Sequence, residues 1–188
     1  MSEEIIIVSG LPRSGTSLIM QMLQAGGVSV LTDKVRKPDK ANPEGYFEYE
    51  AVKDLQNRPE IIREASGKAV KVISHLLQYL PSGYSYKVIF TQRNLDEVLD
   101  SQEKLLAHLK KTDSADRDHF KDIYLKHLDE VRKQLASRSN TDTLFLNYEE
   151  IITQPGDASQ AIEQFLGENL DTKQMQQTVN PALYRNRR

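Results

Sequence analysis

The segment that most restricts what this chain can become is its start, where the apolar run Ile5 to Val8 passes through Ser9 and Gly10 into LPRSGTSLIMQML. A run without polar alternation is the pattern of a strand covered on both faces, as in parallel sheets, and the residues from about Gly15 onward follow the spacing of an amphipathic helix. Strand, glycine-containing turn and helix in that order build an anion cradle, because consecutive backbone N–H groups and the positive end of the helix converge on one point. Gly10 and Gly15 let the backbone approach closely, while Arg13, Ser14, Thr16 and Ser17 bring a cation and hydroxyls to the same turn.

The rest of the chain repeats the alternation. Ala69 to Ile73, Val88 to Phe90 and Leu144 to Leu146 read as further buried strands, and VSV, Val28 to Val30, as a short one. Leu95, Val98, Leu99, Gln102, Leu105, Leu106 and Leu109 follow helical spacing behind Asn94 and Glu97, which are placed as a capping box. A long helix is predicted from about Asp116 to Ser137, and a last one from Asp157 to the stop at Gly167. Strands alternating with helices imply βαβ crossovers and a parallel sheet with its ligand edge at the strands' carboxyl ends. The fold class is therefore α/β: a single-domain, P-loop-type, three-layer fold over residues 1–188, with a central parallel sheet flanked by helices. Residues 31–48 form the longest stretch without periodicity and are expected to be a substrate loop.

Composition removes several classes of function. Lys plus Arg total 25 against 27 Asp plus Glu, so no general field favours nucleic acid or an anionic membrane. The chain has no cysteine, which excludes disulfides, thiolate catalysis and Cys-ligated metal or cluster sites and fits a reducing compartment. Its four histidines, His75, His108, His119 and His127, contain no i,i+4 pair of ligands, so no metal site is expected. The start, MSEEIIIVSG, is acidic where a secretory signal is basic, and no run reaches the ~18 apolar residues of a membrane span. A cytoplasmic protein of undetermined oligomeric state is the expectation.

The spacing of Gly10 and Gly15 fits a Walker A loop, but Thr16 stands where that loop requires lysine, and no Walker B aspartate is apparent. A metal-free chemistry follows. PRSGTSL instead resembles the 5′-phosphosulfate loop of sulfotransferases that use 3′-phosphoadenosine 5′-phosphosulfate (PAPS), and its loop arginine is similar to that of the tyrosylprotein branch. Arg93 and Ser101 in QRNLDEVLDS have the spacing of the family's 3′-phosphate pair, and LFLNYEEI, a proline and a helix ending FLG resemble its carboxyl-terminal half. Arg93 closes a strand at the ligand edge and Ser101 lies about two turns into the next helix, so both can face one site. An arginine fork and a hydroxyl together suit a dianionic phosphate.

The resemblance implies transfer of a sulfuryl group from PAPS to a hydroxyl or similar nucleophile of an unknown acceptor, without metal. It implies nucleotide contacts from Arg13, Ser14, Gly15, Thr16, Ser17, Arg93, Ser101 and Tyr148, and from Tyr184 and Arg185 if the tail folds back. Arg13 and Lys71 are expected to neutralise charge on the leaving phosphate. The sequence departs from the family where Ile73 stands at the usual histidine base, with His75 past the register, and where Leu95 replaces the usual proline. A carboxylate base is therefore expected: Asp33 first, Glu48 second and Glu44 third. A non-catalytic 3′-phosphoadenosine-binding module and a P-loop kinase are the alternatives.

Overall fold

The computed structural model describes residues 4–33, 35, 45–108 and 117–183. Strand β1 (Ile5–Gly10) leads through the glycine turn into helix α1 (Thr16–Ala25), then β2 (Val30–Leu31), β3 (Ala69–Lys71) and β4 (Tyr86–Gln92). Helices α2 (Leu95–His108) and α3 (Arg117–Ser137) precede β5 (Thr141–Asn147), and α4 (Tyr148–Thr153), α5 (Pro155–Leu166) and α6 (Thr172–Gln177) complete the described chain. The strands form one sheet in the order β2-β3-β1-β4-β5, with every pairing parallel. The α/β layering expected from sequence is present.

Strand alternation divides the core into two faces. Ile5, Ile7, Val70, Val72, Val88 and Phe90 point to one side, against Val131 and Leu135 of α3 and the short 3₁₀ segments. Ile6, Val8, Ala69, Ile89 and Leu146 point to the other, against Ile19, Met20, Met22 and Leu23 of α1, Ile162 of α5 and Met175 of α6. Each fully buried aliphatic side chain is worth roughly 1.5–3 kcal/mol, so this two-sided burial holds the layers together. Among the described residues no helix is long and apolar enough to cross a membrane.

Element boundaries differ from the sequence reading where polar residues extend a strand. β5 runs Thr141–Asn147 rather than Leu144 to Leu146 because it pairs along its full length with β4, which tolerates polar residues on the sheet's outer strand. Val28 lies outside β2, in the turn that closes α1, where its N–H donates to the Leu23 carbonyl at 2.9 Å. α5 begins two residues before Asp157, at Pro155, whose missing N–H suits a first helical turn. The long central helix starts at Arg117, one residue after the predicted Asp116.

This topology selects an edge for ligands. β1 and β4 are neighbours, yet the chain leaves β1 toward α1 on one face and leaves β4 toward α2 and α3, of which α3 covers the other face. Diverging exits from adjacent parallel strands open a crevice at their carboxyl ends. The glycine turn stands at one exit and Arg93 at the other.

Candidate functional site

The glycine turn is braced from within. The Ser14 hydroxyl is buried, donates to the Leu11 carbonyl at 2.7 Å and lies 2.8 Å from the Thr91 hydroxyl, whose oxygen is 3.2 Å from the Ser9 carbonyl. A Cβ on Gly10 would collide with both hydroxyls, which accounts for glycine there. Ser14 thus shapes the turn with its side chain. Thr91, at the end of β4, was not singled out by sequence, because a threonine in a buried strand carries no distinguishing signal.

Arg13 takes a left-handed backbone, φ 70°, that costs a non-glycine residue about 1–2 kcal/mol. The conformation aims both ends of the residue across the crevice. Its Nε donates to Ser101 Oγ at 2.9 Å, and its carbonyl accepts from Arg93 Nη1 at 3.1 Å. Arg93 also pairs through Nε with Glu97 at 2.9 Å, with only 8% and 3% of the two side chains exposed. Its guanidinium carbon lies 4.5 Å from the centre of the Tyr148 ring. Arg13, Arg93, Ser101 and Tyr148, from four separate segments, therefore meet at the crevice.

Glu97 lies at i,i+4 from Arg93, where the sequence allows an ion pair at the surface and the structure buries one. The structure has Asn94 Oδ1 accepting from the Asp96 N–H at 2.9 Å, and the Glu97 carboxylate on Arg93. Burial keeps the pair from being screened as a surface bridge would be.

On the α1 side, Lys71 Nζ donates to Ser17 Oγ at 3.1 Å and to the Tyr46 carbonyl, which also accepts from Ser17 Oγ at 3.3 Å. The segment that supplies this carbonyl is tightly turned: Gly45 has φ 95° and Phe47 φ 53°. The expected loop thus folds its carboxyl-terminal end onto the first turn of α1, which no sequence signal announced. Thr16 is buried at the start of that helix.

The carboxylate candidates separate. Asp33 Oδ2 accepts from the Glu50 N–H at 2.6 Å and Oδ1 from the Val35 N–H at 2.9 Å. These main-chain amides hold its carboxyl below the ordinary aspartate range. Oδ2 thereby serves the first N–H of the 3₁₀ turn Glu50–Asp54, which is the work of a cap, while Oδ1 closes a local turn onto Val35. Glu48 has a side chain 19% exposed and 3.8 Å from Lys53 Nζ, and its carbonyl accepts from Thr32 Oγ1 at 2.9 Å. Glu44, Tyr184 and Arg185 lie outside the described residues.

His75 is exposed in the 3₁₀ turn Ser74–Tyr79, while the adjacent Ser74 is buried with its Oγ 2.8 Å from His127 Nε2. Burial, with His75 nearby, holds the His127 imidazole below its ordinary pKa. The phenol of Tyr148 is raised above the ordinary tyrosine value, chiefly by burial, although the Arg93 and Arg13 charges oppose the shift.

The sulfotransferase domain family matches residues 3–188. The chain belongs to the sulfotransferase family. Among solved structures it is similar to the mouse sulfotransferase SULT7A1 complexed with PAP, at 18% identity and a TM-score of 0.56, covering 94% of this chain and 62% of that one. It is also similar to sulfotransferase STF1 of Mycobacterium tuberculosis H37Rv, at 15% identity and a TM-score of 0.63, covering 98% and 74% of the two chains. A third similar structure is the sulfotransferase domain of the Synechococcus PCC 7002 olefin synthase, at 16% identity and a TM-score of 0.59, covering 100% and 89%. At these identities the likeness shows the fold. No curated protein matches the chain.

Proposed function

We propose that the protein transfers a sulfuryl group from PAPS to a hydroxyl, or a similar nucleophile, of an acceptor. The observation that carries this reading is the meeting of Arg13 and Ser101 at 2.9 Å, with Arg93 on the Arg13 carbonyl, where β1 and β4 open the crevice. The donor set fits the co-substrate. Two arginines, a lysine and several hydroxyls surround a helix start and a glycine turn, as an anion with phosphates at both ends of a nucleoside requires.

In this reading Thr16, Ser17 and the turn amides hold the 5′-phosphate, while Arg93 and Ser101 hold the 3′-phosphate. The co-substrate supplies the sulfuryl group. Arg13 and Lys71 neutralise charge as it grows on the leaving phosphate, which lets cationic side chains do what a metal does in many phosphoryl transfers. Glu48, with a side chain 19% exposed, takes the acceptor's proton, since both oxygens of Asp33 already accept main-chain N–H groups. The partners are the nucleotide and an acceptor whose chemistry the crevice does not name.

Thermal unfolding with 3′,5′-adenosine bisphosphate, AMP, or ATP plus Mg²⁺, each with and without EDTA, tests this reading. Ligand at ~100 times Kd adds about 2.7 kcal/mol, roughly 2–4 °C per kcal/mol for this size. The bisphosphate is expected to stabilise equally in EDTA. Stabilisation by ATP plus Mg²⁺ alone would replace this reading with a kinase. Bisphosphate binding without sulfation across a broad hydroxyl and amine panel would favour a binding module.

A further inference from the structure

We propose that Tyr148 is a positioning residue that sets selectivity for a 3′-phosphate by holding the Arg93 guanidinium in place. The inference rests on the function proposed above. Tyr148 is expected as a nucleotide contact, and the structure gives its ring protein partners as well.

The placement begins with strand register. Gln92 at the end of β4 pairs with Asn147 at the end of β5, so Arg93 and Tyr148 are the first residues past the ends of two adjacent parallel strands. Asn147 then caps α4, its Oδ1 accepting from the Glu149 N–H at 2.9 Å, which fixes the backbone from which the Tyr148 side chain departs. The ring is 8% exposed. It fills the space a Cβ on Gly15 would need, and it meets the guanidinium carbon of Arg93 at 4.5 Å.

Arg93 is thus held in three ways: Nε on Glu97, Nη1 on the Arg13 carbonyl, and its charged plane against an aromatic face. The first contact alone would not fix the fork, because a guanidinium can turn about its terminal torsions while keeping one bond to a carboxylate. In a buried pair the attraction is strong, and an unrestrained fork would rotate to offer Glu97 two bonds, withdrawing from an incoming phosphate. The Tyr148 face opposes that rotation. A phenyl ring provides the same face, so the hydroxyl is dispensable to this role.

The test uses the full chain and compares 3′,5′-adenosine bisphosphate with AMP by titration calorimetry on wild type, Tyr148→Phe and Tyr148→Leu. Tyr148→Phe is expected to keep the wild-type ratio of the two affinities within about twofold. Tyr148→Leu is expected to weaken the bisphosphate about five- to thirtyfold, the range of a partly desolvated cation–π contact, with AMP changed by no more than about threefold. If the leucine variant does not fold, Tyr148→Met keeps apolar bulk without a π face and carries the same expectation. A leucine or methionine variant with the wild-type ratio overturns the inference, as does an equal loss for both ligands or a Phe variant as impaired as Leu. A wild-type protein that does not prefer the bisphosphate overturns the function proposal itself, and the variants are then read no further.

Discussion

Arg13 and Ser101 are 88 positions apart in sequence, and the arginine Nε donates to the serine hydroxyl at 2.9 Å. The contact joins the glycine turn after β1 to the second turn of α2, and so joins the residue expected at the leaving group to one expected at the 3′-phosphate. Two donors that meet this closely have to be shared with, or separated by, the nucleotide that both are proposed to bind. Arg13→Ala is therefore expected to lower turnover by more than it lowers bisphosphate affinity, since a cation at the leaving oxygen gains most as charge develops. Steady-state kinetics beside direct titration decide it, and an equal loss in both would make Arg13 a ground-state anchor only.

Arg93→Ala and Ser101→Ala are expected to spare AMP and weaken the bisphosphate. Loss of a charged hydrogen bond costs about 1.5–3 kcal/mol, so Arg93→Ala is predicted to lose roughly ten- to a hundredfold. The same variant leaves Glu97 buried without its arginine, so a fall in ligand-free stability of about 1–3 kcal/mol accompanies it. Arg93→Ala/Glu97→Gln restores part of that stability without restoring 3′-phosphate selectivity. Chemical denaturation and paired titrations separate the two effects, and a double variant that recovers selectivity would remove Arg93 from the nucleotide.

Asp33→Ala is expected to cost about 1 kcal/mol through loss of a cap while leaving turnover within a few-fold of wild type. The pH dependence carries a sign. The Glu50 and Val35 amides hold the folded carboxyl below its ordinary value, so its contribution to stability is present above the unfolded pKa and is lost as pH falls through the lowered folded one. The stability gap between wild type and Asp33→Ala should be full at pH 7 and close in the acid range below the ordinary aspartate value. A catalytic collapse in Asp33→Asn at pH 7 with stability unchanged would return Asp33 to the role of base.

The architecture was legible because it rests on local patterns. Ile5 to Val8 is apolar on both faces and could only be a central strand, and Arg93 and Ser101 share a spacing that puts both near one edge. The contacts that give the site its shape were not legible, because they depend on register. Nothing in the sequence pairs Gln92 with Asn147, and without that pairing Tyr148 has no reason to lie on Arg93. Asp33 and Glu48 looked alike as carboxylates in one long loop. Only the folded backbone turns the Glu50 amide onto Asp33 and makes it a cap. Glu97 shows the same limit, since its spacing from Arg93 allows an ion pair but does not say that the pair is buried.

The last prediction concerns Glu48 and the segment that carries it. With Asp33 engaged by amides, Glu48→Gln is expected to lose about 10² to 10⁴ in turnover, the span of general base catalysis, and to keep bisphosphate affinity. The change replaces a carboxylate with an amide of nearly equal size, so the backbone contacts of the segment, the Thr32 hydroxyl and the Asp33 N–H on the Glu48 carbonyl, are left in place. The neighbouring Lys53 Nζ, 3.8 Å from the Glu48 carboxylate, supplies a control. Lys53→Met removes that ion pair and is expected to leave turnover within a few-fold of wild type, which separates loss of the pair from loss of the base. If Glu48→Gln turns over normally, or if Lys53→Met loses as much as Glu48→Gln, the proton is taken by another group and Glu48 is a structural residue of the loop.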